Sequence, residues 1–267
     1  MSTPEGGRGN AMRVVSFVLV VLCALALPVA ARAAHHNCAP GTGLDPTCPQ
    51  TQVTAAQSIT SLTPTATMHT DTVSGAFAWD GDRQISLTLP LYQHLRITGI
   101  GDAYGMGDIG ISYVRVFTGK GRLAQAAGVS AVGATGSDSL SSTGHNALGA
   151  LYALSYSVGN RITLLGIASY AFDTGVSKIR FAPDIQTLTL TPRAIVNLTR
   201  AGAYAAFDAP ISQVTGGERY DAYTVNGYLG FARGRYDAYV TYGVPLDSYT
   251  RAHVFTRSTG FVLSFRP

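Results

Sequence analysis

Apolar and small polar residues alternate with a period of two through most of the sequence from about residue 70 onward. Segment 187–191, Thr-Leu-Thr-Leu-Thr, is the clearest case. Because successive side chains of a strand point to opposite faces, the alternation predicts strands with one apolar and one polar face. No stretch keeps the three-and-four spacing of an amphipathic helix. The pattern predicts an all-β fold with about eleven strands, at 70–79, 83–92, 107–118, 122–134, 146–159, 161–173, 185–198, 200–212, 219–233, 235–246 and 252–265.

The connections between these strands alternate in length. The short ones lie at 80–82, 119–121, 159–160, 199–200 and 234–235, and the long ones at 93–106, 135–145, 174–184, 213–218 and 247–251. Most of the strands have ten or more residues, which suits a tilted strand that crosses a bilayer. Short periplasmic turns and long extracellular loops are typical of transmembrane barrels. The sequence therefore predicts a transmembrane antiparallel up-and-down β-barrel over residues 70–267.

The strand number follows from parity. If the last strand runs toward the periplasm, strand 70–79 does so as well, and another strand must precede it. Bacterial single-chain barrels have an even number of strands. A weak first strand within 51–67 gives twelve strands, which we prefer. In the alternative, 34–69 is a plug or a periplasmic segment and the barrel has ten strands.

The N-terminus predicts export. Arg8 and Arg13 precede an apolar run over 14–31, and Ala31-Arg32-Ala33 supplies a small-x-small cleavage site. This order predicts a secretory signal peptide over residues 1–33, with a membrane-anchoring helix as the alternative. Cleavage leaves 16 basic and 14 acidic residues with no basic cluster, which argues against a nucleic-acid partner.

The low charge of the chain agrees with a membrane location. Only 13% of the residues are charged, whereas 46% are hydrophobic. A soluble surface normally carries more charge than this. We therefore expect the apolar strand faces to contact outer-membrane lipid.

Two cysteines remain after cleavage. Cys38 and Cys48 flank a turn-rich stretch, and an oxidising compartment favours a disulfide between them. His35 and His36 stand beside Cys38 and leave a metal site open as the alternative. We expect the disulfide and no metal.

Alternation also assigns the lumen. If Leu188 and Leu190 face lipid, Arg193 lies on the opposite face and points inward. The same rule selects the candidate lumen residues Arg193, Asp208, Thr224, Asn226, Asp237 and Thr241. The charged members either pair with one another and fill the interior, or select the solute.

No catalytic constellation is evident. His145 lies near Ser141 and Ser142 in a predicted loop, but nothing orients the three groups as a nucleophile and its base. The glycines of Gly105-x-Gly107 open a strand and not a helix, so they do not form a phosphate-binding loop. We expect neither enzymatic activity nor a cofactor.

The C-terminal strand resembles the signal by which the insertion machinery recognises outer-membrane barrels. Its matching residues are Gly260, Leu263 and Phe265, although the chain continues with Arg266 and Pro267. The resemblance implies that the insertion machinery is a partner of this chain.

A second resemblance concerns Gly105, Gly107 and Asp108, which precede an alternating segment up to Tyr113. This motif resembles one in the outer-membrane barrel family of transporters of the meta-cleavage (MetA) pathway of phenol degradation, and the resemblance covers roughly residues 65–267. It implies an outer-membrane channel or passive transporter for small hydrophobic or aromatic solutes. The alternative is a closed structural or surface-interaction barrel whose function lies in its extracellular loops.

Overall fold

A computed structural model describes residues 42–118, 122–136, 145–177, 185–216 and 219–267. The described chain forms fourteen strand segments in one antiparallel sheet. Their bounds are β1 Gln52–Thr63, β2 Ala66–Trp79, β3 Arg83–Ile97, β4 Gly101–Gly105, β5 Ile109–Thr118, β6 Leu123–Gly133, β7 His145–Val158, β8 Ile162–Ser177, β9 Gln186–Asn197, β10 Ala203–Asp208, β11 Ile211–Thr215, β12 Tyr220–Arg233, β13 Tyr236–Pro245 and β14 Arg257–Phe265. A 3-10 helix at Thr42–Leu44 precedes them, and helix α1 spans Ser248–His253. No helix in the described ranges is long and apolar enough to cross a membrane.

The sheet closes into a barrel of twelve strands. Two pairs of segments, β4 with β5 and β10 with β11, each occupy a single position in the wall. β1 pairs with β2 on one side and with β14 on the other, from Val53 opposite Phe265 to Ser61 opposite Arg257. The predicted all-β barrel with twelve strands is confirmed, and its first strand lies within the predicted window 51–67.

The outer wall is apolar. On β9, Leu188 and Leu190 are 43% and 51% exposed in the isolated chain, whereas the alternating Thr187 and Thr189 are half-buried. Other large apolar side chains on the outer wall are Ile59, Phe77, Leu87, Ile111, Val129, Leu148, Leu164, Phe207, Leu229, Val240 and Phe261. A band of this kind is the surface that a membrane barrel presents to lipid.

The prediction of a long loop over 93–106 is wrong. β3 continues to Ile97, a tight turn covers 98–100, and β4 runs back from Gly101. Gly99 and Gly101 adopt positive φ of 83° and 137° and allow this turn. A bulge shifts the register of β3 between the positions opposite Asp71 and Thr72. One extra residue exchanges the lumen-facing and lipid-facing positions of the strand. The alternation before the bulge therefore does not continue beyond residue 92, and the sequence pattern ended there.

The predicted strand 200–212 is broken in two. β10 ends at Asp208, and β11 begins at Ile211 and extends to Thr215, inside the predicted loop 213–218. Pro210 lies in the break and has no backbone N–H to donate to the sheet. β9 pairs with both segments in continuous register, so the wall keeps one strand position here.

The predicted loop 247–251 contains most of helix α1. Asp247 caps the helix, because Thr250 N–H donates to its Oδ1 at 2.7 Å and Tyr223 N–H donates to its Oδ2 at 2.9 Å. Burial alone would raise the pKa of Asp247, but these backbone donors outweigh it and lower the pKa below its ordinary value. The cap fixes α1 to β12 at the end of the barrel where β12 begins and β13 ends.

Loop length gives the barrel its direction. The turns at 80–82, 159–161 and 234–235 lie at the same end of the barrel as the start of β1 and the end of β14. Short turns are typical of the periplasmic side, so this is the periplasmic end. The β1–β2 turn, Pro64-Thr65, is a short turn at the other end and departs from the predicted alternation. The predicted turn 119–121 and most of the predicted loops 135–145 and 174–184 lie outside the described residues, as do Ser141, Ser142 and the signal peptide 1–33.

Candidate functional site in the barrel lumen

The segment 42–51, called the plug below, crosses the lumen before β1 begins. Leu44, Asp45 and Thr47 are buried at 7%, 8% and 1% exposure. Leu44 packs against inward-facing side chains of β8, β9, β10 and β12, whereas Gln50 N–H donates to Gln84 Oε1 on β3 at 2.9 Å. Because β3 and β9 lie on opposite sides of the twelve-strand ring, the plug spans the periplasmic half of the lumen. Of the predicted segment 34–69, residues 34–41 lie outside the described chain, 42–51 contact the inner wall, and Gln52–Thr63 form β1.

A tight turn at Asp45 shapes the plug. Its Oδ1 accepts hydrogen bonds from Thr47 N–H at 2.8 Å and Thr47 Oγ1 at 2.7 Å, and Cys48 N–H donates to its carbonyl at 3.0 Å. Aspartate commonly begins turns in this way. Ser155 Oγ on β7 donates to Asp45 Oδ2 at 3.3 Å, so the turn is also tied to the wall.

Leu44 enters a pocket that the wall builds alone. The pocket contains Leu165, Ile195, Tyr204, Ala206 and Ala232, and Tyr228 and Tyr239 pack around it. Burying a leucine side chain contributes about 1.5–3 kcal/mol to docking of the plug.

Three of the predicted lumen residues form a hydrogen-bonded network. Asp208, 4% exposed, accepts from Arg193 Nε at 2.9 Å and Arg193 Nη2 at 2.7 Å. Asn226 Nδ2 and Tyr228 OH donate to the same carboxylate at 2.7 and 2.9 Å. Arg193 Nη1 donates to the carbonyl oxygen of Leu44. A buried charge is tolerated when it is paired and hydrogen-bonded in this manner, and here the network also holds the plug.

Asp237 belongs to a second buried pair. Tyr204 OH donates to Asp237 Oδ1 at 2.8 Å, and the two residues are 0% and 3% exposed. Thr224 and Thr241 are half-buried on the inner faces of β12 and β13, and Thr241 lies opposite Tyr228 in the sheet. The role of the six candidates in solute passage stays a prediction.

Hydroxyl groups recur along the inner wall. Three cross-strand pairs lie within hydrogen-bond distance: Thr54 with Ser264 at 2.9 Å, Ser86 with Ser112 at 2.6 Å, and Thr189 with Ser212 at 2.9 Å. These side chains are small and uncharged, so they make parts of the inner wall polar without adding charge.

Sequence reasoning missed Tyr204, Tyr228 and the plug residues. Tyr204 is separated by an even number of residues from Asp208, and Tyr228 from Asn226, so each tyrosine points to the lumen like its neighbour. The alternation could have identified both tyrosines. Leu44 and Asp45 carried no such signal, because the plug has no period of its own.

The two motifs found by resemblance have structural positions. Gly107 N–H donates to the Pro90 carbonyl at 3.0 Å, and a Cβ on Gly107 would lie 2.7 Å from Pro90 Cβ. Asp108 Oδ1 accepts from Gly136 N–H at 2.9 Å, and Gly105 ends β4. The motif therefore joins β4 to β5 and ties the start of β5 to the chain that follows β6.

The C-terminal residues complete the wall. Gly260, Leu263 and Phe265 lie on β14 opposite Ser58, Ala55 and Val53 of β1. Their strand closes the barrel, and whether it also serves as an insertion signal stays a prediction.

The cysteine and metal predictions concern the start of the plug. Cys48 is disulfide-bonded, and its predicted partner Cys38 lies outside the described residues together with His35 and His36. Among the residues that the structure describes, no group of three or more His, Cys, Asp or Glu side chains could hold a metal ion.

Comparison with known proteins agrees with the fold. No family model and no curated protein sequence matches the chain. The KdgM porin has a TM-score of 0.57 at 10% identity, covering 81% of this chain and 99% of its own. The NanC porin has a TM-score of 0.57 at 9% identity, covering 81% and 100%.

A third similar structure is the COG4313 outer membrane channel from Pseudomonas putida F1. Its TM-score is 0.63 at 11% identity, and the match covers 81% of this chain and 95% of that one. All three resemblances concern the fold. Taken with the closed sheet and the apolar outer wall, they identify the chain as a twelve-stranded outer-membrane β-barrel, and its segment 42–51 crosses the lumen.

Proposed function

We propose that this protein is a passive channel for small solutes, and that the plug 42–51 gates it. The observation that carries the proposal is how the lumen is obstructed. Among the residues that the structure describes, segment 42–51 crosses it, held by the Leu44 side chain, its carbonyl and the Asp45 turn. A twelve-strand ring encloses more space than an eight-strand barrel filled by its own side chains. Movement of the plug would open that space without breaking any wall pairing.

The lining supports small uncharged solutes. Hydroxyl pairs line the wall, and the Arg193 charge is balanced by Asp208. The resemblance to the phenol-degradation family extends the proposal to hydrophobic or aromatic compounds. The solved porins and channel with the same fold support a channel role.

The route to the membrane is part of the same proposal. A signal peptide over 1–33 would deliver the chain to the periplasm, where Cys38 and Cys48 would form their disulfide. The last strand would then be recognised by the insertion machinery through Gly260 and Phe265. The apolar outer wall would settle in outer-membrane lipid.

The alternative is a permanently closed structural barrel that acts through its extracellular loops. The burial of Leu44, Asp45 and Thr47 favours it, because a plug docked this firmly could stay in place. The two functions differ in one respect: only the channel requires the plug to move.

A disulfide lock separates the two functions. Leu44 and Ala206 belong to one packed cluster, so the double variant Leu44→Cys/Ala206→Cys would tether the plug to β10 when oxidised. In proteoliposomes loaded with a small neutral dye, we expect no efflux from the oxidised variant and efflux above wild type after reduction. Wild-type protein treated with the same reductant controls for the native disulfide at Cys48. Vesicles that stay sealed in both redox states would contradict the channel.

A further inference from the structure

The pocket that holds Leu44 belongs entirely to the barrel wall. Leu165, Ile195, Tyr204, Ala206 and Ala232 come from four wall strands, and the plug contributes only the group that fills the pocket. When the plug leaves, the apolar wall residues that surround Leu44 therefore remain facing the lumen. A preformed apolar pocket beside a few fixed polar groups is the usual form of a small-molecule site.

A hydrogen-bond donor is fixed at the edge of this pocket. Asp208 holds two nitrogens of Arg193, at 2.9 and 2.7 Å, and the face of Tyr228 lies 5.7 Å from the guanidinium carbon. Both partners are wall residues, so Arg193 keeps its position without the plug. Its Nη1 points to the place now taken by the Leu44 carbonyl oxygen.

We propose that this pocket is a solute-binding subsite, that Leu44 occupies it in place of the solute, and that solute binding displaces the plug. The inference rests on the proposed channel function and names its solute class. The solute carries a compact apolar group that replaces the Leu44 side chain. Next to that group it carries an acceptor oxygen that replaces the Leu44 carbonyl on Arg193.

The charges around the pocket indicate that the acceptor oxygen of the solute is neutral. Arg193 already pairs with Asp208, and Asp237 accepts from the pocket residue Tyr204. A carboxylate on the solute would bring a second negative charge beside Asp208 and compete with it for Arg193. An amide, ketone, alcohol or phenol supplies the oxygen without that cost.

The test uses three small probes on the wild-type protein in planar bilayers. 4-Methylpentanamide reproduces the Leu44 side chain and carbonyl, 4-methylpentanoate has the same shape with a negative charge, and acetamide lacks the apolar group. A ligand that binds only the unplugged state shifts the equilibrium toward that state by one plus the ratio of ligand concentration to Kd, which is about tenfold when the ligand concentration is ten times Kd. We expect the open probability to rise with 4-methylpentanamide and to stay unchanged with the other two probes.

Two variants make the result specific. The oxidised Leu44→Cys/Ala206→Cys protein should show no response to the amide, which controls for effects on the bilayer. In Arg193→Met, which removes the donor and keeps a long side chain, the response should be lost. Equal responses to all three probes, or a response of the oxidised lock, would overturn the subsite. If the reduced double-cysteine variant conducts and the amide has no effect on wild type, the proposed subsite is wrong and the proposed channel function is retained. If the reduced variant does not conduct either, the proposed channel function is wrong as well.

Discussion

Truncation of Leu44 tests how the plug is held. Leu44 is 7% exposed and fills a pocket of five wall residues, so Leu44→Ala leaves a cavity only while the plug is docked. Buried leucine-to-alanine changes cost about 2–5 kcal/mol. We take the lower part of this range, about 2–3 kcal/mol, because the plug is a short segment that can settle into the space.

This free-energy cost applies to docking of the plug and not to unfolding of the barrel. If docked and undocked plug are in equilibrium, about 2–3 kcal/mol raises the ratio of undocked to docked plug about 30- to 160-fold. Single-channel recording in planar bilayers measures that ratio as open probability. The thermal unfolding midpoint of the barrel should stay close to the wild-type value, because β1 to β14 keep their pairing.

Gly43→Ala is the matched control. Gly43 precedes Leu44, is exposed, and a Cβ there would meet nothing within 4 Å. We expect wild-type open probability for this variant. An open probability for Leu44→Ala within about threefold of wild type would refute the reasoning, because the plug would then be held by other contacts or would not control the lumen.

Three further predictions concern the wall and its outer end. Asp208→Ala leaves the partly buried Arg193 without its carboxylate partner, so we expect about 3–5 kcal/mol of destabilisation in urea unfolding from detergent. Recovery when both residues are replaced by apolar ones would support the explanation by an unpaired charge. Gly107→Ala places a Cβ 2.7 Å from Pro90 Cβ, so it should cost about 1–3 kcal/mol in the same assay, whereas Ala at Gly75, where a Cβ meets nothing within 4 Å, should not. Asp247→Ala removes the cap of α1 and should cost about 1 kcal/mol, seen as faster amide exchange over 248–253. The pKa of Asp247 is lower in the folded protein than the unfolded value of about 3.9. The stability that the cap contributes is therefore present above about pH 3.9 and is lost as the pH falls through the lower folded pKa. Amide exchange over 248–253, corrected for intrinsic rates, should accordingly stay constant from pH 7 to about 5.

The sequence alone determined the barrel. A period of two needs no tertiary information, because side chains of any strand alternate between faces. On 187–191 it separated threonines from leucines, and the structure places those threonines inside and those leucines outside. Parity then required a strand before residue 70, and β1 occupies that place.

Local irregularities limited the same reasoning. The bulge in β3 reverses the faces beyond Tyr92, and Pro210 interrupts a strand that the pattern left whole. Helix α1 was missed because six residues are too few for a helical period to emerge, and its stability depends on a cap that also binds Tyr223.

The site depended on the tertiary structure. Inward parity selected Arg193, Asp208 and Asn226 one at a time, but only the register of β9, β10 and β12 shows that the Asp208 carboxylate binds the other two. The contact between Arg193 and Leu44 joins residues 149 positions apart, and no local pattern encodes it. The plug lacks periodicity because it contacts many strands at once, each through a different atom. Alternation along the chain therefore determined the wall, and packing across the lumen decided what closes it.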